Sequence, residues 1–186
     1  MSYMPEEEYK QLVTDAVTEL RSLFKSSPHL FLTEEDVRCF LFQLLIKRTG
    51  FGKYENGSLT SPVHSEVRWY GKEQNMHKRS DIVVLDVTDL RVTSEGFPLP
   101  SKGFGFNNFY AAIEIKLRRQ GGECDNVWLR KLQKDLDTLR SLKTAVSNRY
   151  VPLLMLIAFD RKKNIAPKIA LLQQEIPTFY ESIIEG

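Results

Sequence analysis

Cysteine is scarce in this sequence: Cys39 and Cys124 are the only two in 186 residues, and they form no CxxC pair. The three histidines, His29, His64 and His77, lack the close spacing of a zinc site. Together these absences argue against structural zinc and against a disulfide framework. No apolar stretch approaches the length of a membrane span, and the chain begins with the acidic MPEEEYK rather than a basic segment and apolar core. A cytoplasmic protein with reduced thiols is expected. An excess of one charge is also missing. With 26 Lys and Arg against 24 Asp and Glu, the net charge is only +2, so any affinity for nucleic acid has to come from a local patch. No internal repeat or low-complexity segment marks a second unit.

What is present is an ordinary globular composition, 42% hydrophobic and 27% charged, with enough chain for one self-sufficient core. One domain over 1–186 is expected. Helical spacing of Tyr9, Leu12, Val13, Ala16, Leu20 and Phe24 predicts an amphipathic helix over 5–28. Thr33 with Asp36 resembles a capping box, and a second helix is expected from there to a stop at Gly50. Residues 51–62 have the Gly, Asn, Ser and Pro content of a loop. VHSEVRWY alternates, which predicts a strand with Val63, Val67 and Trp69 on one face and His64, Glu66 and Arg68 on the other. SDIVVLDV, from Ser80, reads as a second strand, apolar enough to lie inside a sheet. The segment 88–109 is rich in Gly and Pro and reads as a protruding loop. Its GFGF is followed by no phosphate-loop helix, so its glycines serve turns, with Phe104 and Phe106 as candidates to touch a ligand. A helix over about 126–143, a buried strand in VPLLMLIAF and a terminal helix over 166–185, interrupted at Pro177, complete the chain.

The stretch YAAIEIKLRR, 110–119, poses the functional question. Strand alternation sends Ile113, Ile115 and Leu117 to one face and Glu114 and Lys116 to the other. A solvated surface pair would account for that. A second account becomes available because Asp81 opens the preceding strand, and the element order places both strands in one mixed sheet. Asp81 and the charged face of the third strand then converge at one sheet edge.

SDIVVLD followed by AIEIKL resembles the PD-(D/E)XK superfamily of restriction-endonuclease-like nucleases, over roughly residues 33–160. The motif is an aspartate on one strand and acid-x-Lys on the next, matched by Asp81, Glu114 and Lys116; Ser80 stands where the motif has proline. The resemblance implies a mixed-sheet α/β sandwich with an αβββαβ core and extra helices at both termini. It also implies a metal-dependent endonuclease, a phosphodiester hydrolase acting on DNA. Family members often add an acid from the first core helix, for which Glu35 is the candidate and Glu34 its neighbour; Glu66 is a further candidate. A Gln-x-x-x-Tyr found in some relatives is absent, since Gln133 is followed by Asp137.

The chemistry implied needs these residue types. Asp81 and Glu114, with the backbone carbonyl of Ile115, are the expected ligands of Mg²⁺ or Mn²⁺, hard cations that prefer oxygen. Lys116 is expected to position or deprotonate the attacking water, or to stabilise the transition state. Lys78, Arg79, Arg118, Arg119, Lys131 and Lys134 are the candidate phosphate contacts. Specificity is expected from the 88–109 segment, a homodimer or a partner protein. Two rivals stand beside this reading: a non-catalytic nuclease-like module that binds nucleic acid or assembles proteins, and a plain α/β domain with a surface Glu–Lys pair.

Overall fold

Helix α1 (Glu6–Ser26) carries Glu6, Glu7 and Glu8 in its first turn and Lys25 in its last, both complementary to the helix dipole. It buries Tyr9, Val13, Ala16, Val17, Leu20 and Phe24. Helix α2 (Glu34–Thr49) starts in the expected capping box: the Asp36 N–H donates to Thr33 Oγ1 at 3.2 Å and the Thr33 N–H to Asp36 Oδ2 at 2.8 Å. It stops at Gly50, whose φ of 66° suits a residue without a Cβ. The structure is a computed structural model that describes residues 5–53, 59–70, 76–90, 107–145, 148–172 and 176–183. The GFGF stretch with Phe104 and Phe106 lies outside the described residues.

Two short strands, β1 (Gly52–Lys53) and β2 (Leu59–Thr60), pair within the stretch read as loop. The main sheet has five strands in the order β3 (Val63–Tyr70), β4 (Met76–Leu85), β5 (Phe109–Arg118), β6 (Leu153–Asp160) and β7 (Thr178–Ser182). The first three are antiparallel neighbours, and β5–β6 and β6–β7 are parallel. A parallel neighbour demands a crossover, supplied by helix α3 (Asp125–Ala145) between β5 and β6. Alternation then builds two cores. Ile113, Ile115, Met155 and Ile157 pack with α1 and α2, while Ala112, Leu154, Leu156 and Ala158 pack with Trp128, Leu132, Leu136 and Leu139 of α3. Among the described residues no helix is long and apolar enough to cross a membrane.

Two expectations need correction. The terminal helix over 166–185 is replaced by a short α4 (Ala166–Ala170) and strand β7. Pro177 cannot donate the N–H that a helix needs, and Thr178, Phe179 and Tyr180 are strand formers that complete the edge beside β6. Nor do Val63, Val67 and Trp69 share a face. Val63 belongs to the α1/α2 core and Val67 and Trp69 to the α3 core. The alternation is reset between them at Glu66, whose φ is 55°.

Candidate active site

Pairing of β5 with β4 reaches Ile113, opposite Ile82, and β5 continues against β6 as far as Arg118. Where β4 pairing ends, the side chain of Asp81 takes over: its Oδ2 accepts the Ile115 N–H at 2.8 Å. The motif aspartate is therefore fixed by the backbone of the motif strand itself.

Glu114 is 5% exposed, and its Oε1 has no hydrogen-bond partner. Burial, and after it the charges of Asp81 and Asp135, push its carboxyl well above the usual range, against smaller opposing effects of Lys116 and Ser80. An acid so placed favours a proton or a cation beside it. Lys116 stands on the same face of β5. Its Nζ lies 3.1 Å from Asp135 Oδ2 and 3.6 Å from Glu34 Oε2, and it donates to the Ile115 carbonyl at 3.1 Å. Burial alone would lower the Lys116 ammonium, but Asp135, Glu34 and Asp81 outweigh it and the net shift is upward. Asp135 is itself shifted up, by burial first, with Lys116 opposing.

A second charged group adjoins the first. Arg38, from the second turn of α2, places Nη1 2.9 Å from Glu66 Oε1 and 3.5 Å from Asp81 Oδ1, and pairs through Nη2 with Glu35. Arg79 Nη1 reaches the same Glu66 oxygen at 3.2 Å. The structure thus brings Asp81, Glu114 and Lys116 together, and ties Glu35 and Glu66 to Asp81 through Arg38. Glu34, rather than Glu35, is the acid of α2 that faces Lys116.

Arg38 and Asp135 were not singled out from the sequence. Arg38 follows Glu35 by one helical turn, a visible pairing signal. Asp135 interrupts the leucine stripe of α3 beside Leu132 and Leu136, a position where an acid needs a partner across the interface.

The basic residues divide. Arg119 and Lys134 are exposed. Lys131 is paired with Glu123 at 2.6 Å, Arg79 with Glu66, and Lys78 with the Ser141 hydroxyl. Arg118 has to be withdrawn as a phosphate contact. Its side chain is fully buried and donates to Asp160 and Asp125, so it holds the core at this point and presents no face to solvent.

Among the described residues, no group of three or more His, Cys, Asp or Glu side chains is arranged to hold a metal ion. Asp81, Glu114 and the Ile115 carbonyl amount to a smaller oxygen set. That number suits Mg²⁺, which commonly takes one or two carboxylates and completes its shell with water and substrate phosphate. The buried, unpartnered Glu114 Oε1 is the observation that favours a fit.

The order helix, three strands, helix, strand, with helices on both faces of a mixed sheet and the motif residues at the β4–β5 divergence, is the one expected of a restriction-endonuclease-like core. No family model matches the chain, and no curated protein matches it. Among solved structures, it is similar to P. aeruginosa NucC in a cAAA-bound form, with a TM-score of 0.45 and 11% identity over 92% of this chain and 71% of that one. E. coli NucC, also cAAA-bound, has a TM-score of 0.43 and 10% identity over 94% of this chain and 72% of that one.

Proposed function

We propose that the chain is a divalent-metal-dependent nuclease that hydrolyses phosphodiester bonds in DNA. The observation that carries this reading is the buried Glu114 carboxylate, with one oxygen unpartnered, beside Asp81 and on the same strand face as Lys116. Asp81, Glu114 and the Ile115 carbonyl would hold Mg²⁺ or Mn²⁺, which when bound supplies charge stabilisation and a more acidic water.

The chain's own groups do the rest. Asp81 is oriented by the Ile115 N–H and so needs no reorganisation. Lys116, held above its ordinary value by its carboxylate neighbours, stays an ammonium. Its role is therefore to donate to a phosphate oxygen or to the attacking water rather than to deprotonate that water. Asp135 and Glu34 fix that ammonium from two sides. Of the six basic candidates, exposed Arg119 and Lys134 are the ones offered to the backbone of a nucleic acid. Sequence preference, where there is one, comes from the 88–109 segment, a second copy or a partner protein.

The test is Mg²⁺- or Mn²⁺-dependent cleavage of duplex, nicked, branched and single-stranded DNA, with RNA alongside, by the unaltered chain and by Lys116→Met. Cleavage should fall by about two orders of magnitude or more in the variant, the scale for losing an electrostatic catalytic group, while Mn²⁺ binding persists. Wild-type rates in Lys116→Met would remove the assigned role. No cleavage of any substrate by the unaltered chain would favour the binding-module alternative.

A further inference from the structure

We propose that Arg38 is a built-in counter-ion that holds Asp81 in the resting protein and has to release it before a divalent cation is bound. This rests on the reading of Asp81 and Glu114 as a metal site. Asp81 has two carboxylate oxygens with different commitments. Oδ2 accepts the Ile115 N–H at 2.8 Å, which fixes the side chain to β5. Oδ1 is the oxygen that Arg38 contacts, so the oxygen free of a backbone hydrogen bond is the one facing a guanidinium. Glu114 Oε1 has no hydrogen-bond partner. The arginine contact therefore falls on one half of the expected ligand pair.

The three contacts of Arg38 are unequal. Nη1 approaches Glu66 to 2.9 Å but Asp81 only to 3.5 Å, and Nη2 is paired with Glu35. At 3.5 Å the Asp81 contact is a charge contact at the outer limit of a hydrogen bond. A guanidinium has five donors in one plane, so it can give up Asp81 and stay anchored to Glu66 and Glu35. Those two acids lie on α2 and β3, outside the expected ligand set, and keep the arginine close by. Arg38 is 16% exposed on its side chain, enough shielding for the contact to matter and enough access for it to exchange. An intramolecular cation on one ligand competes with the ion at every concentration and lowers its apparent affinity.

The experiment measures Mn²⁺ binding to the full chain by calorimetry and by the electron paramagnetic resonance signal of free Mn²⁺. Arg38→Met should bind Mn²⁺ about tenfold more tightly than the unaltered chain, on the scale of coupling between contacting charges. The gain should vanish in an Asp81→Asn background. If the unaltered chain binds Mn²⁺ and Arg38→Met binds it equally or less well, the counter-ion role is overturned and the metal site stands. If neither binds, both are overturned. Thermal melts monitor folding of each variant. A Mn²⁺-soaked crystal of the unaltered chain gives an answer even where Arg38→Met does not fold: Arg38 should have left Asp81 while keeping Glu66. An unchanged 3.5 Å contact beside a bound ion would overturn the proposal.

Discussion

Arg118 and Arg119 are adjacent in sequence and opposite in environment. The Arg118 side chain is fully buried, donating from Nε to Asp160 Oδ1 and from Nη1 to Asp125 Oδ1, each at 2.9 Å, with its guanidinium carbon 5.7 Å from the Trp128 ring. Asp160 is equally buried. Breaking such a pair leaves a charge in the core, which costs about 3–5 kcal/mol, whereas an exposed arginine away from such contacts changes stability by about 0.5 kcal/mol or less. Denaturant titrations should therefore find Arg118→Met destabilised by that larger amount and Arg119→Met near the unaltered chain; equal midpoints for the two would refute the assignment. The sequence could not separate them, because the buried carboxylate that holds Arg118, Asp160, is 42 residues away on β6 and leaves no local mark, and Asp125 lies across the turn into α3. Asp81, Glu114 and Lys116 were legible for the opposite reason. Alternation within β5 puts Glu114 and Lys116 on one face, and the motif resemblance together with the pairing of the consecutive strands β4 and β5 brings in Asp81. Arg38 and Asp135 fall between these cases, since each has a helical position that hints at a partner but does not say which strand supplies it.

Strand β3 shows how far an element can be read from its pattern. Its alternation predicts a single inward face, and the existence and extent of the strand follow from it. The pattern misses one backbone angle. Glu66 adopts φ 55°, a left-handed conformation that costs a residue with a Cβ about 1 kcal/mol or more relative to glycine. The ladder to β4 resumes in the same register on either side, with Ser65 opposite Ile82 and Val67 opposite Ser80. The effect is to give Val63 and Val67 to different cores and to hold the Glu66 carboxylate near Arg38 and Arg79. Glu66→Ala and Glu66→Gly remove the same ion pairs but differ at this angle. The Gly variant should be the more stable of the two by about 1 kcal/mol, the reverse of the order at an ordinary strand position. Greater stability of Glu66→Ala in thermal or denaturant unfolding would mean that the left-handed turn is not kept. At β7 the pattern fails differently. A periodicity of a few apolar residues does not distinguish a short helix from an edge strand, and the parallel pairing with β6 decides for the strand.

On the scale of the molecule, the two cores are separated by the sheet, and Asp125 joins pieces that the chain order keeps apart. It begins α3, and its carboxylate accepts from Arg118 of β5, from Lys163 after β6 and from Lys168 of α4. A cleft of about 420 Å³ lined by Cys124, Asp125, Asn126, Lys162, Lys163 and Lys168 lies at this corner, so protons reach the group. Hydrogen bonds from Lys163, Arg118 and Lys168 hold the Asp125 carboxyl far below its ordinary value near 3.8. Because the folded-state value is the lower one, the unfolded chain binds more protons between the two, and stability from this group rises with pH there. Its contribution is complete above the unfolded value and is lost as pH falls from about 3.8 toward the folded one. Asp125→Asn keeps an acceptor but loses the charge. It should melt below the unaltered chain at pH 7 and at pH 5, by the same margin, and the margin should shrink as the pH is taken from 4 to 2. Other acids titrate over that range in both proteins, so the difference between the two melting temperatures isolates Asp125. A margin that stays constant down to pH 2 would show that the three cations draw no stability from its charge.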